Sequence, residues 1–433
     1  MLALTPDDIY KWMCKKTYGT EDPSNDMVPT IRSTTLQYWK KAVSYFMETT
    51  SKWHDASKSG NATQSKRVNN LIKAVKRAET RGTGQATIAD RAFTVSEFKQ
   101  ILDLTHDRRY KAMMNFQYHL IARSDDTAHV KKDVLKASTE FPGYLTAKIR
   151  WSKNVGEESA CPEQILIASM DSKTCCYLSL ALFLEHWIQY GEGTLSQWLF
   201  VDGIANSEST FEQQNEEAVK GNMRYRAAIK RALNTDTFKS TNTVQGNLGS
   251  HSIRKLATSE VRRRGVPKDD VDYRARWKVA RMQDRYTDIQ LNWPDVNAAN
   301  NLCLGGACTY KVKPDAGITD SWIASNCAVA ITAVFGDHVG AILGKVLLWA
   351  CFDAIQQENV PADIRHRCVT RFIQLQHVGD NYNPVEKVEV IATEGPLLPR
   401  GIYEAEEIRA NRLFLLLRFR LSSCNSWRHS QLR

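Results

Sequence analysis

The sequence predicts a mainly α-helical fold with a small β-hairpin or sheet, arranged as a helical N-terminal domain followed by a mixed α+β domain. Apolar residues recur at helical spacing in most segments, and two short apolar runs flank a turn. A stretch with two glycines and no apolar periodicity separates the first helices from the rest. With 433 residues and 42% hydrophobic content, the chain is long enough for two or three domains with buried cores.

The first domain, residues 1–85, is expected to hold three helices. In the run Thr5-Pro6-Asp7-Asp8, Thr5 caps a helix, Pro6 fits the first turn and the carboxylates oppose the positive end of the dipole. An apolar stripe from Leu36 to Met47 predicts the second helix, and one from Val68 to Val75 predicts the third. The outward face of the third helix is basic and is either ordinary solvated surface or a surface for a duplex backbone. Its candidate binding residues are Lys66, Arg67, Lys73, Lys76 and Arg77.

A linker at residues 86–92 leads to the second domain, residues 93–295, which opens with a capping box formed by Thr94 and Glu97. An apolar helix over residues 111–122 then delivers Arg123 at its end. Residues 144–151 and 163–168 are predicted strands, and Lys153 lies in the turn between them. On local evidence alone, the favoured explanations are a structural salt bridge from Arg123 to Asp126 and a solvated loop lysine at Lys153.

The chain continues with a predicted helix over residues 175–188 and a polar region that holds a helix around residues 223–233. The most apolar run, residues 327–352, contains Asp337, His338 and Lys345, so it lacks the roughly 18 clean apolar residues of a membrane span. A core helix or helix pair is expected there. Residues 296–433 form a C-terminal extension of unknown role, which ends in alternating Leu and Arg.

Charge and cysteine content narrow the class of protein. The net charge is +10, and residues 251–286 alone carry eleven Lys or Arg against five Asp or Glu. This concentration is explained either by a solvated helix face or by a polyanionic partner, with nucleic acid ahead of an anionic membrane surface. Ten cysteines occur without CxxC pairs, and the first residues are not those of a secretory signal, so reduced intracellular thiols are expected. No zinc or other metal site is expected, because no second pair of ligands stands at a suitable spacing. Cys161 and His186 could be neighbours only by chance.

The segment from His251 to Tyr286 contains residue types that suit phosphate chemistry. His251, Arg254, Trp277 and Tyr286 are separated by 3, 23 and 9 residues. Arg254 can donate two N–H groups to phosphate oxygens, and His251 lies one turn away on the same helix face. Tyr286 is a phenol that can act as a covalent nucleophile. Each pair taken alone also has a bland explanation, in which His-x-x-Arg occurs by chance and the aromatic residues belong to the core.

Taken in order, Arg123, Lys153, His251, Arg254, Trp277 and Tyr286 resemble the pattern of the tyrosine recombinase (phage integrase) family. That family has an Arg after a helix, a Lys on a β-hairpin, His-x-x-Arg, a His or Trp about 23 residues on and a Tyr nine beyond it. The acid three residues after the first Arg is here Asp126. The resemblance covers roughly residues 1–290. The amino-acid sequence around Trp277 is similar to that of eukaryotic crypton-type members. Residues 1–85 are then similar to the helical core-binding domain, and residues 93–295 to the catalytic domain.

The resemblance implies a site-specific DNA recombinase or integrase that acts through a 3′-phosphotyrosine intermediate and needs no cofactor. Tyr286 would attack the phosphate, Arg123 and Arg254 would bind its non-bridging oxygens, and Lys153 would protonate the leaving oxygen. His251 would accept the Tyr proton or brace the phosphate, Trp277 would donate its indole N–H and Asp126 would orient Arg123. The six catalytic side chains would converge in a basic cleft between the two domains. The implied partners are double-stranded DNA and a homo-oligomer, a tetramer on DNA, without a membrane, inside the cell and in the nucleus of a eukaryotic host.

Three alternatives stay open at the level of sequence. Lys148 competes with Lys153 for the hairpin position. The protein could also be a catalytically inactive DNA-binding relative of a recombinase, or an enzyme similar to type IB topoisomerases. A purely helical scaffold protein is the fallback, and it predicts that Arg123, Arg254 and Tyr286 lie far apart.

Overall fold

The computed structural model describes residues 4–24, 26–85, 90–152, 163–191, 196–201, 210–242, 244–277, 293–376 and 382–390. The fold is mainly helical with two small antiparallel sheets, as the sequence predicts. The chain divides into two compact units. One consists of Met1–Ala89 with Gln245–Asn247, and the other of Asp90–Val244 with Leu248–Arg433.

The first unit is built from three helices, α1 (Pro6–Tyr18), α2 (Ser33–Tyr45) and α3 (Lys66–Thr80). Helix α1 begins with a capping box between Thr5 and Asp8 and ends at Gly19, whose φ of 79° is the left-handed conformation that glycine adopts without strain. All three helices were predicted. Their buried residues form a separate core of Ile9, Met13, Cys14, Leu36, Ala62, Val68, Leu71, Ile72 and Val75.

The end of α2 differs from the predicted pattern. Phe46, assigned to the apolar stripe, lies just beyond the helix and is 57% exposed. On the solvent side of α2, Tyr38 and Tyr45 are also exposed, at 70% and 84%. Helical spacing therefore identified the helix and most of its buried face, because the other apolar residues of the stripe pack against the core.

The second unit begins with α4 (Val95–Leu104), α5 (Arg108–His119) and α6 (Ser124–Ala128). The predicted capping box of Thr94 and Glu97 starts α4. A three-stranded sheet follows, made of β1 (Leu135–Ala137), β2 (Leu145–Lys148) and β3 (Glu163–Leu166) in that spatial order. Strands β2 and β3 are antiparallel, with Leu145 opposite Leu166 and Lys148 opposite Glu163. The strand pair was predicted, but β1 was not, since three residues carry too little alternation.

Helices α7 (Cys176–Gln189), α8 (Phe211–Leu233), α9 (Asp236–Thr241), α10 (Ser250–Arg263) and α11 (Lys268–Arg274) come next. Helix α8 is about twice as long as predicted. The residues before the predicted range 223–233 form its first turns, where a capping box of Thr210 and Gln213 and the carboxylate of Glu212 stabilise the helix N-terminus.

The remaining elements belong to the same unit and share its core. They are α12 (Trp293–Leu302), β5 (Ala307–Val312), α13 (Asp320–Asn326), α14 (Val329–Phe335), α15 (Asp337–Phe352), α16 (Ala362–Gln376) and β6 (Val385–Glu389). Strand β5 lies between β6 and the short β4 (Ala168–Ser169), which directly follows the first sheet. The predicted helix pair of residues 327–352 is α14 and α15, and it is separated by Gly336 with a φ of 81°.

A buried carboxylate joins this late part of the chain to α7. Glu185 is fully buried and accepts hydrogen bonds from the backbone N–H groups of Ala330, at 3.3 Å, and Ile331, at 3.0 Å. The carboxylate also forms an ion pair with the guanidinium of Arg367. A carboxylate buried this deeply is stable only when paired and hydrogen-bonded. Residues 329–367 therefore contribute to the stability of α7.

No helix among the described residues is long and apolar enough to cross a membrane. Within the same residues, no group of three or more His, Cys, Asp or Glu side chains is placed to hold a metal ion.

Candidate functional site

Arg123 lies at the start of α6, where the chain leaves the buried helix α5. Ile121, with a φ of 47°, reverses the chain after α5, and Arg123 then caps α6 in an extended conformation. The carboxylate of Asp126 accepts from the Arg123 backbone N–H at 3.0 Å and lies 3.9 Å from its guanidinium. Asp126 is 1% exposed, whereas the Arg123 side chain is 27% exposed. Arg123 therefore has an anchored backbone and a guanidinium that solvent can reach.

Ser152 holds that guanidinium from the other side. Nη1 of Arg123 donates to Oγ of Ser152 at 3.2 Å. The preceding residue, Trp151, stacks on His129 with ring centroids 4.5 Å apart and an interplanar angle of 11°. His129 is itself held by the carbonyl of Asp125 at 2.9 Å. The chain is thus fixed beside Arg123 just before the segment that contains Lys153.

Helix α10 carries His251 and Arg254 on consecutive turns. Arg254 is 2% exposed, and its Nη2 donates to the backbone carbonyl of Ala275 at 2.5 Å. The indole ring of Trp277 lies over this guanidinium at 5.3 Å from the ring centroid. His251 in the first turn is exposed. The helix therefore presents a buried cation and, one turn earlier, an accessible imidazole.

Arg276 is a buried residue of this site that sequence reasoning missed. Its side chain is 1% exposed, and its guanidinium lies 3.5 Å from the Asp126 carboxylate and donates to the Gln164 side chain. Its φ of 55° is in the left-handed region, which costs a residue with a Cβ about 1 kcal/mol or more. The residues around Trp277 read RARWK, so an Arg next to the Trp was visible, but nothing in the sequence shows that it turns inward.

A second buried arginine fixes the backbone that carries Arg276 and Trp277. Arg274 is fully buried and pairs with Asp295 at 2.5 Å. Its Nη2 also donates to the carbonyls of His119 and Ile165, at 2.8 Å each. This network ties the end of α11 to α5, β3 and α12. The short segment after α11 is therefore held in place by three other elements.

Positive charge is concentrated at this site. Burial is the main cause that lowers the pKa of Arg254 to about 9, and repulsion from Arg276 and Arg123 lowers it further, whereas Asp126 opposes the fall. Nε of Arg254 is buried without a hydrogen-bond partner among the described residues. An anion that entered the site would accept from this donor and lie in the field of the guanidiniums.

His251 responds to the same positive field. The partial burial of its ring is the main cause that lowers the pKa of this imidazole, and the charges of Lys255 and Arg254 lower it further. Asp90 partly opposes the effect. The imidazole is therefore neutral at pH 7 and able to accept a proton. Tyr286 and Lys153, the predicted nucleophile and general acid, lie outside the described residues. Lys148, the competing lysine, is half-buried at the end of β2.

The structure thus brings Arg123, Asp126, His251, Arg254 and Trp277 into one neighbourhood. Arg254 lies within electrostatic range of Arg123 and Asp126, and His251 within range of both arginines. This proximity contradicts the scaffold alternative for the pair Arg123 and Arg254, which it expected far apart.

The candidate binding residues of α3 differ in their surroundings. Arg67 pairs with Asp7 at 2.5 Å, and its guanidinium lies 4.3 Å from the ring centroid of Tyr10. Lys66 is exposed and, among the described residues, has no ion pair. Lys73, Lys76 and Arg77 line a surface cavity of about 370 Å³ together with Thr80 and Arg81. Arg81 extends this basic surface and was not among the predicted residues.

The sequence matches no family model, and no curated protein matches it. Among solved structures, a dimer of lambda integrase residues 75–356 bound to a COC′ core site is 12% identical, with a TM-score of 0.28 over 65% of this chain and 87% of that one. A second lambda integrase dimer on the same type of site is 13% identical, with a TM-score of 0.29 over 60% of this chain and 65% of that one. A lambda integrase tetramer bound to a Holliday junction is 11% identical, with a TM-score of 0.29 over 58% and 66%. TM-scores this far below 0.5 identify neither a family nor an activity.

Proposed function

We propose that this protein is a DNA strand transferase of the tyrosine recombinase type, which cleaves and rejoins DNA at specific sites through Tyr286. The observation that carries the proposal is the grouping of Arg123 with the buried Arg254 and Arg276 near the carboxylate of Asp126. A phosphodiester under attack gains negative charge on its non-bridging oxygens, and fixed guanidiniums stabilise that charge most effectively in a water-poor site.

In the proposed reaction, the phenolic oxygen of Tyr286 attacks phosphorus and forms a phosphotyrosine bond to the 3′ side of the break. The bond from phosphorus to the 5′ oxygen breaks, and Lys153 donates a proton to that oxygen. His251, neutral at pH 7, accepts the phenolic proton. A 5′-hydroxyl then reverses the steps on a new strand. One phosphoester bond forms as another breaks, so no nucleotide has to be hydrolysed to supply energy.

Arg123 and Arg254 differ in how they would contact the phosphate. Arg123 is partly accessible and anchored through Asp126 and Ser152, so it suits the first contact with DNA. Arg254 is buried, with one donor used on Ala275 and Nε unused, so it suits oxygens that enter the site. Lysine would serve either position less well, because it lacks the planar pair of donors. The basic surface of α3 would bind the duplex away from the site, and assembly into a tetramer would bring two duplexes together.

The proposal is tested by trapping the covalent intermediate. A library of duplexes with a randomised core is incubated with the full-length protein, and adducts that survive detergent are isolated and sequenced. The selected site is then rebuilt as a nicked suicide substrate, from which the short strand beyond the cleavage point diffuses away. The native protein is expected to accumulate an adduct at Tyr286, identified by mass spectrometry of the tryptic peptide.

Two controls separate the chemistry from binding. Tyr286→Phe removes only the nucleophilic oxygen and should bind the same duplex without an adduct. An undiminished adduct with that variant would contradict the assignment of Tyr286. Relaxation of supercoiled plasmids that lack the selected site would instead favour the topoisomerase alternative. Duplex binding without any adduct from the native protein would favour the inactive DNA-binding alternative.

A further inference from the structure

A surface cavity of about 460 Å³ opens beside the first turn of α10, where it is lined by Ser250, the residue before His251. The wall is formed by α8, and the floor by the residues that precede His251. The residues that matter for its chemistry are Arg226, Lys230, Met223, Asp90 and Ser250. None of them belongs to the six predicted catalytic positions.

The cationic part of the cavity lies on one face of α8. Arg226 and Lys230 are four residues apart and both exposed, so their side chains are neighbours on the helix surface. Among the residues that the structure describes, neither forms an ion pair. By contrast, Lys220 on the same helix pairs with Glu216 at 2.8 Å. Two cations that form no ion pair with a described residue therefore border this cavity, whose lining also contains the carboxylate of Asp90.

The apolar part of the cavity lies between these cations and α10. Met223 is 65% exposed, although a side chain of this size is normally buried or covered. Leu233 and Leu248 also line the space. A ligand that combines anionic and apolar surface fits such a lining. A nucleotide of DNA has both, in its phosphate and in its deoxyribose.

Helix α8 is rigidly connected to the site. The hydroxyl of Tyr225 donates to Oε1 of Gln117 at 2.6 Å, and Nε2 of Gln117 donates to the carbonyl of Ser250 at 2.9 Å. Tyr225 and Gln117 are fully buried. Earlier in the same helix, Asn222 donates to Asp125 in α6, the helix that Arg123 caps, at 3.2 Å. These hydrogen bonds connect α8 both to Ser250 at the start of α10 and to α6.

From this juxtaposition we infer that the cavity binds the DNA strand immediately beside the phosphate that is attacked, with a backbone phosphate on Arg226 and Lys230 and a deoxyribose against Met223. The inference rests on the proposed function for the location of the attacked phosphate. Asp90 is the one carboxylate in the lining, and it opposes the binding of an anion. Affinity for DNA is therefore set by two attractive charges and one repulsive charge at the same place.

The test measures the salt dependence of binding to a short fluorescein-labelled duplex by anisotropy, with full-length protein. Each phosphate contact contributes about 0.9 to the slope of log K against log salt. Because Arg226 and Lys230 would hold the same backbone phosphate, the double variant Arg226→Ala/Lys230→Ala should lose about 0.9 from that slope. The charge-matched double variant Lys220→Ala/Arg231→Ala changes the same helix outside the cavity and should lose less than half as much. Equal losses from the two double variants would overturn the inference.

A variant of opposite sign guards against an effect of misfolding. Asp90→Asn removes the repulsive charge and should tighten duplex binding several-fold at low salt, which a damaged protein would not do. Unchanged or weaker binding by this variant would count against the cavity as a DNA site. The covalent-adduct assay distinguishes the two levels of the argument. An adduct at Tyr286 combined with equal slopes for the two double variants refutes only the cavity, whereas the absence of any adduct refutes the proposed reaction.

Discussion

Replacement of Arg254 by methionine should stabilise the DNA-free protein while it removes phosphate binding. Arg254 is 2% exposed and has Arg123 and Arg276 within electrostatic range. Methionine keeps most of the apolar stem and removes the charge. The variant is expected to be more stable because the buried charge of Arg254 serves to bind phosphate and does not stabilise the fold.

The magnitude can be worked out from the pKa of Arg254. A fall from 12.5 to about 9 corresponds to about 5 kcal/mol of cost for the charged form in the folded state. The variant also loses the hydrogen bond to Ala275, which contributes about 1.5 to 3 kcal/mol because the donor is charged. The contact with Trp277 contributes about 1 kcal/mol more. A net gain of about 1 to 2.5 kcal/mol in the free energy of unfolding remains.

The assay is urea denaturation at pH 7, followed by tryptophan fluorescence, with and without sulfate. Without sulfate, Arg254→Met should unfold at a higher urea concentration than the native protein. Sulfate should stabilise the native protein more than the variant, because only the native protein adds specific anion binding by the buried cation to the general stabilising effect of this salt. The charge-conserving variant Arg254→Lys is the control, since it keeps a cation at this position. Destabilisation of Arg254→Met by more than about 1 kcal/mol would refute the reasoning.

Three further predictions concern neighbouring residues. Asp126→Asn leaves the buried guanidiniums without their carboxylate and should lower the free energy of unfolding by about 3 kcal/mol, with partial recovery in sulfate, measured by urea denaturation. Arg276→Gly should be about 1 kcal/mol more stable than Arg276→Ala, because glycine adopts a φ of 55° without strain; equal stabilities would contradict the backbone assignment. The lowered pKa of His251 keeps its ring neutral until the pH falls below 6.5, so strand cleavage should decline only below that pH, and an NMR titration midpoint above 6.5 would contradict this.

Helix positions could be predicted well from the sequence where capping residues and apolar spacing agree. The starts of α1 and α4 follow directly from Thr5 with Asp8 and from Thr94 with Glu97. The length of α8 could not be predicted, because its first turns carry acidic and amide side chains that read as loop. Their stability comes from the helix N-terminus and from buried contacts further along the helix.

Part of the candidate site was also visible in the sequence, since side-chain chemistry at fixed separations marks Arg123, His251, Arg254 and Trp277. Arg276 was not, because its inward direction depends on a positive φ and on Gln164, more than a hundred residues earlier. The same holds for the cavity beside His251. Its lining comes from α8, α10 and Asp90, which only the fold brings together.

The placement of residues 296–390 was beyond sequence reasoning for a similar reason. A two-residue strand, β4, pairs with β5, and a single buried carboxylate, Glu185, holds the start of α14. Neither feature has a local sequence pattern. Both depend on partners well over a hundred residues away, which one sequence cannot identify.

The most direct measurement of the central claim is the mass of the tryptic peptide that contains Tyr286 after reaction with the nicked suicide substrate. If Arg123, Arg254 and Arg276 bind a phosphodiester for attack by Tyr286, that peptide should carry a covalently bound nucleotide, and Tyr286→Phe should carry none. A native protein that binds the selected duplex tightly and leaves this peptide unmodified would contradict the claim.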